Sequence, residues 1–120
     1  MPTILVVDDE ANIRYFVTVN LRARGYTTLE ASSAEVALEL LRDHIVDGLI
    51  VDIKLPSMSG WNMLRAIDND PTLLKVRTIV MTASSTISQP DEYAYSQLVN
   101  KLAKPISLQV LLGAVQEIFN

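Results

Sequence analysis

The chain has no cysteine at all. Disulfides, thiol nucleophiles and zinc–thiolate sites are therefore excluded. Four glycines and five prolines in 120 residues leave no room for a glycine-rich phosphate loop or a proline-rich linker. Aromatic residues make up 6%, with a single tryptophan, Trp61, and there is a single histidine, His44. No basic run exists and the net charge is −4, so direct nucleic-acid binding is not expected; phosphate contacts need clustered Lys and Arg. Apolar runs stop at four or five residues, far short of a membrane span. Met1-Pro2 leads at once into a strand pattern, so no secretory leader is read and a cytoplasmic location is the expectation.

What the chain does have is an apolar content of 49% and a regular alternation of strand and helix signals. The length suits one domain, 1–120. Strands are expected at Thr3–Val7, Thr27–Ala31, Gly48–Ile53, Arg77–Thr82 and Val99–Ala103. The first helix is expected at Ala11–Arg24, ended by Gly25. The second follows a capping box, Ser32 with Glu35, and runs through Arg42. A third runs from Trp61 to Asp68, where Asn69-Asp70-Pro71 breaks it. A fourth is expected to start in Ser88-Gln89-Pro90-Asp91-Glu92, with proline in its first turn and acids at the positive end of the dipole. The fifth begins near Ser107 and carries the stripe Leu108, Leu111, Leu112, Val115, Ile118, Phe119. Strict alternation implies an α/β fold, a doubly wound parallel sheet with helices on both faces. In such sheets ligands bind beyond the strand C-termini, where the strand order reverses.

That edge collects the polar groups. Asp8 and Asp9 end the run Ile4-Leu5-Val6-Val7, and Asp52 ends Leu49-Ile50-Val51. If the two strands are neighbours, three carboxylates share one crevice. Their repulsion is relieved by protons or by a hard divalent cation with oxygen ligands, of which Mg²⁺ fits best. Thr82 closes the fourth strand and Lys104, followed by Pro105, closes the fifth. Carboxylates, a hydroxyl and an ammonium at one edge suit phosphoryl transfer to a carboxylate: the cations pair phosphoryl oxygens, the hydroxyl donates to another, and an Asp is the nucleophile. His44 lies off this edge, so no Ser/His/Asp arrangement competes.

The joint spacing of Asp8-Asp9, of Asp52 in Asp52-Ile53-Lys54-Leu55-Pro56-Ser57-Met58-Ser59-Gly60, of Thr82-Ala83 and of Lys104-Pro105 resembles the receiver domain of two-component response regulators, over essentially the whole chain. The resemblance implies a flavodoxin-like (βα)₅ fold with strand order 2-1-3-4-5. It implies that Asp52 accepts a phosphoryl group from a phosphohistidine on a histidine kinase or histidine phosphotransfer protein, and that an effector protein or fused output domain is addressed through the helix 4–strand 5–helix 5 face. By the same resemblance Asp9, Asp52 and the backbone carbonyl of Lys54 bind Mg²⁺, with Asp8 acting through water. Thr82 and Lys104 contact the phosphoryl oxygens, and the Lys104–Pro105 bond is cis. Such a domain is a signalling switch, not a metabolic enzyme, limited to self-phosphorylation and slow acyl-phosphate hydrolysis.

The sequence departs from that pattern in two places. Lys101 stands where many receivers carry Tyr or Phe, and Gln97-Leu98 replaces a small Gly-Ala pair. Burying an ammonium is costly. Lys101 is therefore expected to stay outward near Asp91 or Glu92, leaving the readout to Thr82, the 83–89 loop and the fourth helix. Lys104 is expected to serve the phosphorylated state more than the fold. Two alternatives remain open: a pseudo-receiver that binds partners without phosphorylation, and a phosphohydrolase. The latter is disfavoured because Lys54 occupies the position where a general-acid carboxylate would sit.

Overall fold

The computed structural model describes residues 1–73 and 76–119. Five strands form one parallel sheet in the order β2-β1-β3-β4-β5. They are β1 (Thr3–Val7), β2 (Thr27–Ala31), β3 (Gly48–Asp52), β4 (Arg77–Ala83) and β5 (Leu98–Lys104). The helices are α1 (Ala11–Ala23), α2 (Ala34–Asp43), α3 (Gly60–Asp68) and α4 (Leu108–Phe119). Fold class and strand order agree with the sequence reading.

The sheet is buried on both sides, and the period-2 alternation of its strands divides the core. Leu5, Val7, Leu49, Val51 and Val80 pack with α2 and α3, while Ile4, Val6, Ile50, Ile79 and Met81 pack with α1 and α4. On α4, Leu111, Val115 and Ile118 are buried in the second of these layers, each contributing about 1.5–3 kcal/mol by leaving water. Gly25 stops α1: its φ of +91° is left-handed, and its amide donates to Arg22 O at 3.0 Å.

Three local expectations are corrected. The cap of α2 is Ser33, whose Oγ accepts from Val36 N at 3.2 Å, so the Ser32–Glu35 box is not the one used. Ser33 holds the extended conformation that an N-cap requires (φ −149°, ψ 162°). β5 is longer than expected at both ends. Above all, the expected fourth helix is absent among the described residues: 84–97 contains a three-residue 3₁₀ turn at Ser84–Thr86 and no α-helix. Pro90 and the Asp91-Glu92 pair imitate a helix start. No apolar stripe of period 3.6 follows them, so a helix there would have no face to bury.

The segment is held instead by separate side-chain tethers. Tyr95 is buried, and its hydroxyl donates to Val76 O at 3.0 Å. Ser96 Oγ donates to Asp68 Oδ1 at 3.0 Å, and the Arg65 guanidinium lies 4.7 Å from the centre of the Tyr93 ring. Lys101 Nζ lies 2.8 Å from Asp91 Oδ1 and donates to Gln89 O at 3.1 Å, which agrees with the expected outward pairing of Lys101.

Candidate functional site

The parallel register brings the strand ends together. Val7 pairs with Val51, and Ala83 with Lys104, so the residues that follow β1 and those that close β3, β4 and β5 reach the same edge. Lys104 Nζ donates to Asp8 Oδ2 at 2.9 Å and to Asp52 Oδ2 at 2.7 Å. Asp8 is fully buried and Asp52 is 5% exposed. Asp8 Oδ1 accepts from Glu10 N at 2.8 Å, and Asp52 Oδ1 from Lys54 N at 2.9 Å, so each carboxylate receives both an amide and the ammonium. The Lys104–Pro105 bond is cis, as expected.

Burial pushes the Asp52 carboxyl above its ordinary value, against the Lys104 and Lys54 hydrogen bonds that pull it down; the charge of Asp8 adds a further upward push. For Lys104, burial works against the charge, yet the bonds to Asp52 and Asp8 prevail and its pKa is raised. Lys104 thus holds two buried carboxylates together in the resting protein.

Helix α3 is set tightly behind Asp52. Gly60 N donates to Ile53 O at 2.8 Å, and a Cβ on Gly60 would lie 2.6 Å from Asp52 O. Only glycine permits that approach. Ser57, in the intervening loop, has a φ of +72°. Thr82, also buried, forms a hydroxyl pair with Thr86 at 2.7 Å and makes no hydrogen bond to a site carboxylate among the described residues. A cavity of about 290 Å³ opens on Asp52, Lys54, Thr82 and Thr86 and extends past Trp61 to Asp91 and Lys101. Asp8 does not line it.

Asp9 is exposed, and its carboxylate lies beside those of Asp8 and Glu10, with one oxygen of each within 4.8 Å of the others. This oxygen-only donor set fits a hard divalent cation. Glu10 was not singled out from the sequence; its place directly after the Asp8-Asp9 pair was the available signal. Lys54 is exposed on the loop after β3.

Residues 4–116 match the family described as response regulator receiver domain. The chain belongs to that family, and so to the two-component signalling proteins. It is 33% identical over 117 residues to the chemotaxis protein CheY of Pseudomonas aeruginosa, covering 97% of this chain and 94% of that protein. It is 28% identical to the heme response regulator HssR of Staphylococcus saprophyticus, where 98% of this chain spans 51% of the relative. Among solved structures, Vibrio cholerae CheY4 shares the receiver fold with a TM-score of 0.91 at 24% identity, over 99% of both chains. Thermotoga maritima TrrA, solved in complex with Mg²⁺–BeF, has a TM-score of 0.84 at 28% identity, over 99% of this chain and 100% of that one. No described helix of this receiver domain is long and apolar enough to cross a membrane.

Proposed function

We propose that residues 1–120 act as one phosphoacceptor domain in which Asp52 takes a phosphoryl group from the phosphohistidine of a histidine kinase or histidine phosphotransfer protein. The observation that carries this reading is the pairing of buried Asp52 with Lys104 at the mouth of a cavity that Asp8 does not line. Both carboxylates share the ammonium, but only Asp52 is open to a donor. An Asp52 oxygen forms the new O–P bond, the P–N bond of the donor breaks, and its electron pair stays on the imidazole nitrogen, which takes up a proton. Lys104 pairs with a phosphoryl oxygen, and the Thr82 hydroxyl donates to another once it leaves Thr86.

Asp9, Asp52 and the backbone carbonyl of Lys54 would hold Mg²⁺, with Asp8 acting through water; the ion would neutralise charge on the phosphoryl oxygens. TrrA, bound to Mg²⁺–BeF, supports the carry-over. The hydrolysis of the resulting acyl phosphate is slow, as suits a switch in the cytoplasm that reports to an effector or a fused output domain. Segment 84–97, β5 and α4 take the place of the helix-containing output face expected from the sequence.

Acetyl phosphate with Mg²⁺ tests this. The wild-type protein should gain one long-lived phosphate by intact mass, and Asp52→Asn none. Undiminished labelling of the variant moves the acceptor elsewhere. No labelling of the wild type favours the pseudo-receiver, a reading that draws on the pinned Lys101, and steady turnover favours a phosphohydrolase.

A further inference from the structure

Arg14 has no part in the chemistry above, yet its side chain is only 18% exposed and joins three elements. It stands in the first turn of α1. Its Nη1 donates to the backbone carbonyl of Asp8 at 2.6 Å, and its Nε to Glu30 Oε1 on β2 at 3.2 Å. Arg22 approaches the other Glu30 oxygen at 3.6 Å. A planar guanidinium can hold two acceptors in fixed directions; an ammonium cannot do so.

The carbonyl held by Arg14 belongs to the peptide that joins Asp8 to Asp9. Because that peptide is planar, fixing its oxygen fixes the direction in which Asp9 leaves β1. The rest of Asp8 is already held: its amide donates to Ala31 O at 3.1 Å, and both side-chain oxygens are engaged. Asp9 makes no side-chain hydrogen bond of its own among the described residues. Its carboxylate is placed through the backbone, which is held on one side by Arg14 at the Asp8 carbonyl and on the other by the Glu10 amide on Asp8 Oδ1.

We propose that Arg14 is a positioning residue for the cation site: it fixes Asp9 for metal binding without touching the ion, the phosphoryl group or the donor. The proposal rests on the phosphoacceptor reading above. Charge alone predicts the opposite sign, since a guanidinium near a cation site repels the cation and its removal should tighten binding. Asp9 is exposed, so solvent screens that charge at the cation site and loss of position dominates.

Calorimetric titration of the full chain with MgCl₂ decides between the two signs. Arg14→Gln should weaken Mg²⁺ binding about tenfold, the scale expected when a ligand loses the group that orients it. Its labelling by acetyl phosphate should slow at limiting Mg²⁺ and recover at saturating Mg²⁺. Arg14→Lys, which keeps the charge but not the fork, should recover part of the affinity. Unchanged or tighter Mg²⁺ binding in Arg14→Gln overturns the proposal, even if the melting temperature falls. If Arg14→Gln does not fold, Arg14→Lys decides: intermediate affinity supports the proposal, and wild-type affinity overturns it. A wild-type protein that binds no Mg²⁺ overturns this inference and the phosphoacceptor reading together. Wild-type Mg²⁺ affinity in both variants, beside normal labelling at Asp52, overturns this inference alone.

Discussion

Thr82 donates its hydroxyl proton to Thr86 Oγ1 across 2.7 Å, and Thr86 donates its own to the carbonyl of Ala83 at 2.9 Å. The direction follows from the count, since each hydroxyl has one proton and Thr86 has already given its own. Thr82 must abandon Thr86 before it can donate to a phosphoryl group on Asp52. The resting acceptor of Thr82 therefore lies in the 3₁₀ turn that opens the 84–97 segment.

Thr86→Val keeps the shape and removes that acceptor. A hydrogen bond is worth about 1 kcal/mol, so the switched population of the unphosphorylated protein should rise about fivefold. Chemical shifts of 83–89, recorded with and without a beryllofluoride mimic, measure this. Wild-type shifts in the free variant would show that Thr86 does not restrain Thr82.

Lys104→Met leaves Asp8 and Asp52 buried without their ammonium. A loss of about 3 kcal/mol is expected at pH 7, because breaking a buried pair from one side leaves uncompensated charge. Burial already holds the Asp52 carboxyl above its ordinary value, and losing the cation raises it further. A carboxyl raised in the folded state binds more protons there than in the unfolded chain, so stability falls as pH rises through that range and returns as pH falls. The deficit against wild type should shrink as pH is lowered from neutrality in urea melts. A deficit independent of pH would point to lost packing alone.

Tyr95 gives the opposite end of the scale. Burial pushes its hydroxyl up to about 12, from 10.0. The folded protein then keeps the phenol proton after the unfolded chain has lost it, so stability drains between pH 10 and pH 12, by about 2–3 kcal/mol in total. Tyr95→Phe should lose about 1 kcal/mol at neutral pH with the bond to Val76 O, and should lack this alkaline component. An identical alkaline slope in the variant would assign it to other groups.

Lys101→Tyr removes the tether to Asp91 and Gln89. The pair is only partly buried, so the cost in global stability should stay below about 1 kcal/mol. The effect should concentrate in 86–92, as faster amide exchange, with the rate of labelling by acetyl phosphate nearly unchanged and partner affinity altered. A labelling rate changed tenfold would mean that Lys101 takes part in the acceptor site.

The sheet and the centre of the site were legible because their signals are local. β3 is apolar up to a carboxylate that only a functional edge would tolerate, and all five of its residues are buried. Ser32 and Ser33 are chemically equivalent caps, and the choice between them is made by backbone angles that no residue type announces. β5 was read one residue short at each end, because Leu98 and Lys104 are only half-buried and neither marks a strand boundary by its residue type. The bond between Arg14 and Glu30 joins residues that only the β1–β2 pairing brings together. In 84–97 a genuine helix-start chemistry, proline and two acids, was present without the apolar face that stabilises a helix.

A helix on that flank would form or melt as a unit, since each turn depends on the one before. Tyr95, Ser96, Tyr93 and Lys101 instead fasten the segment at separate points to Val76, Asp68, Arg65 and Asp91. The Lys101–Asp91 pair shares no partner with the other three, and contacts that share no partner act nearly additively. The flank can therefore loosen at its Lys101 end while its Tyr95 end stays seated, giving graded responses where a helix would give all or none. Single substitutions can then retune what a partner meets there without shifting the register of everything that follows.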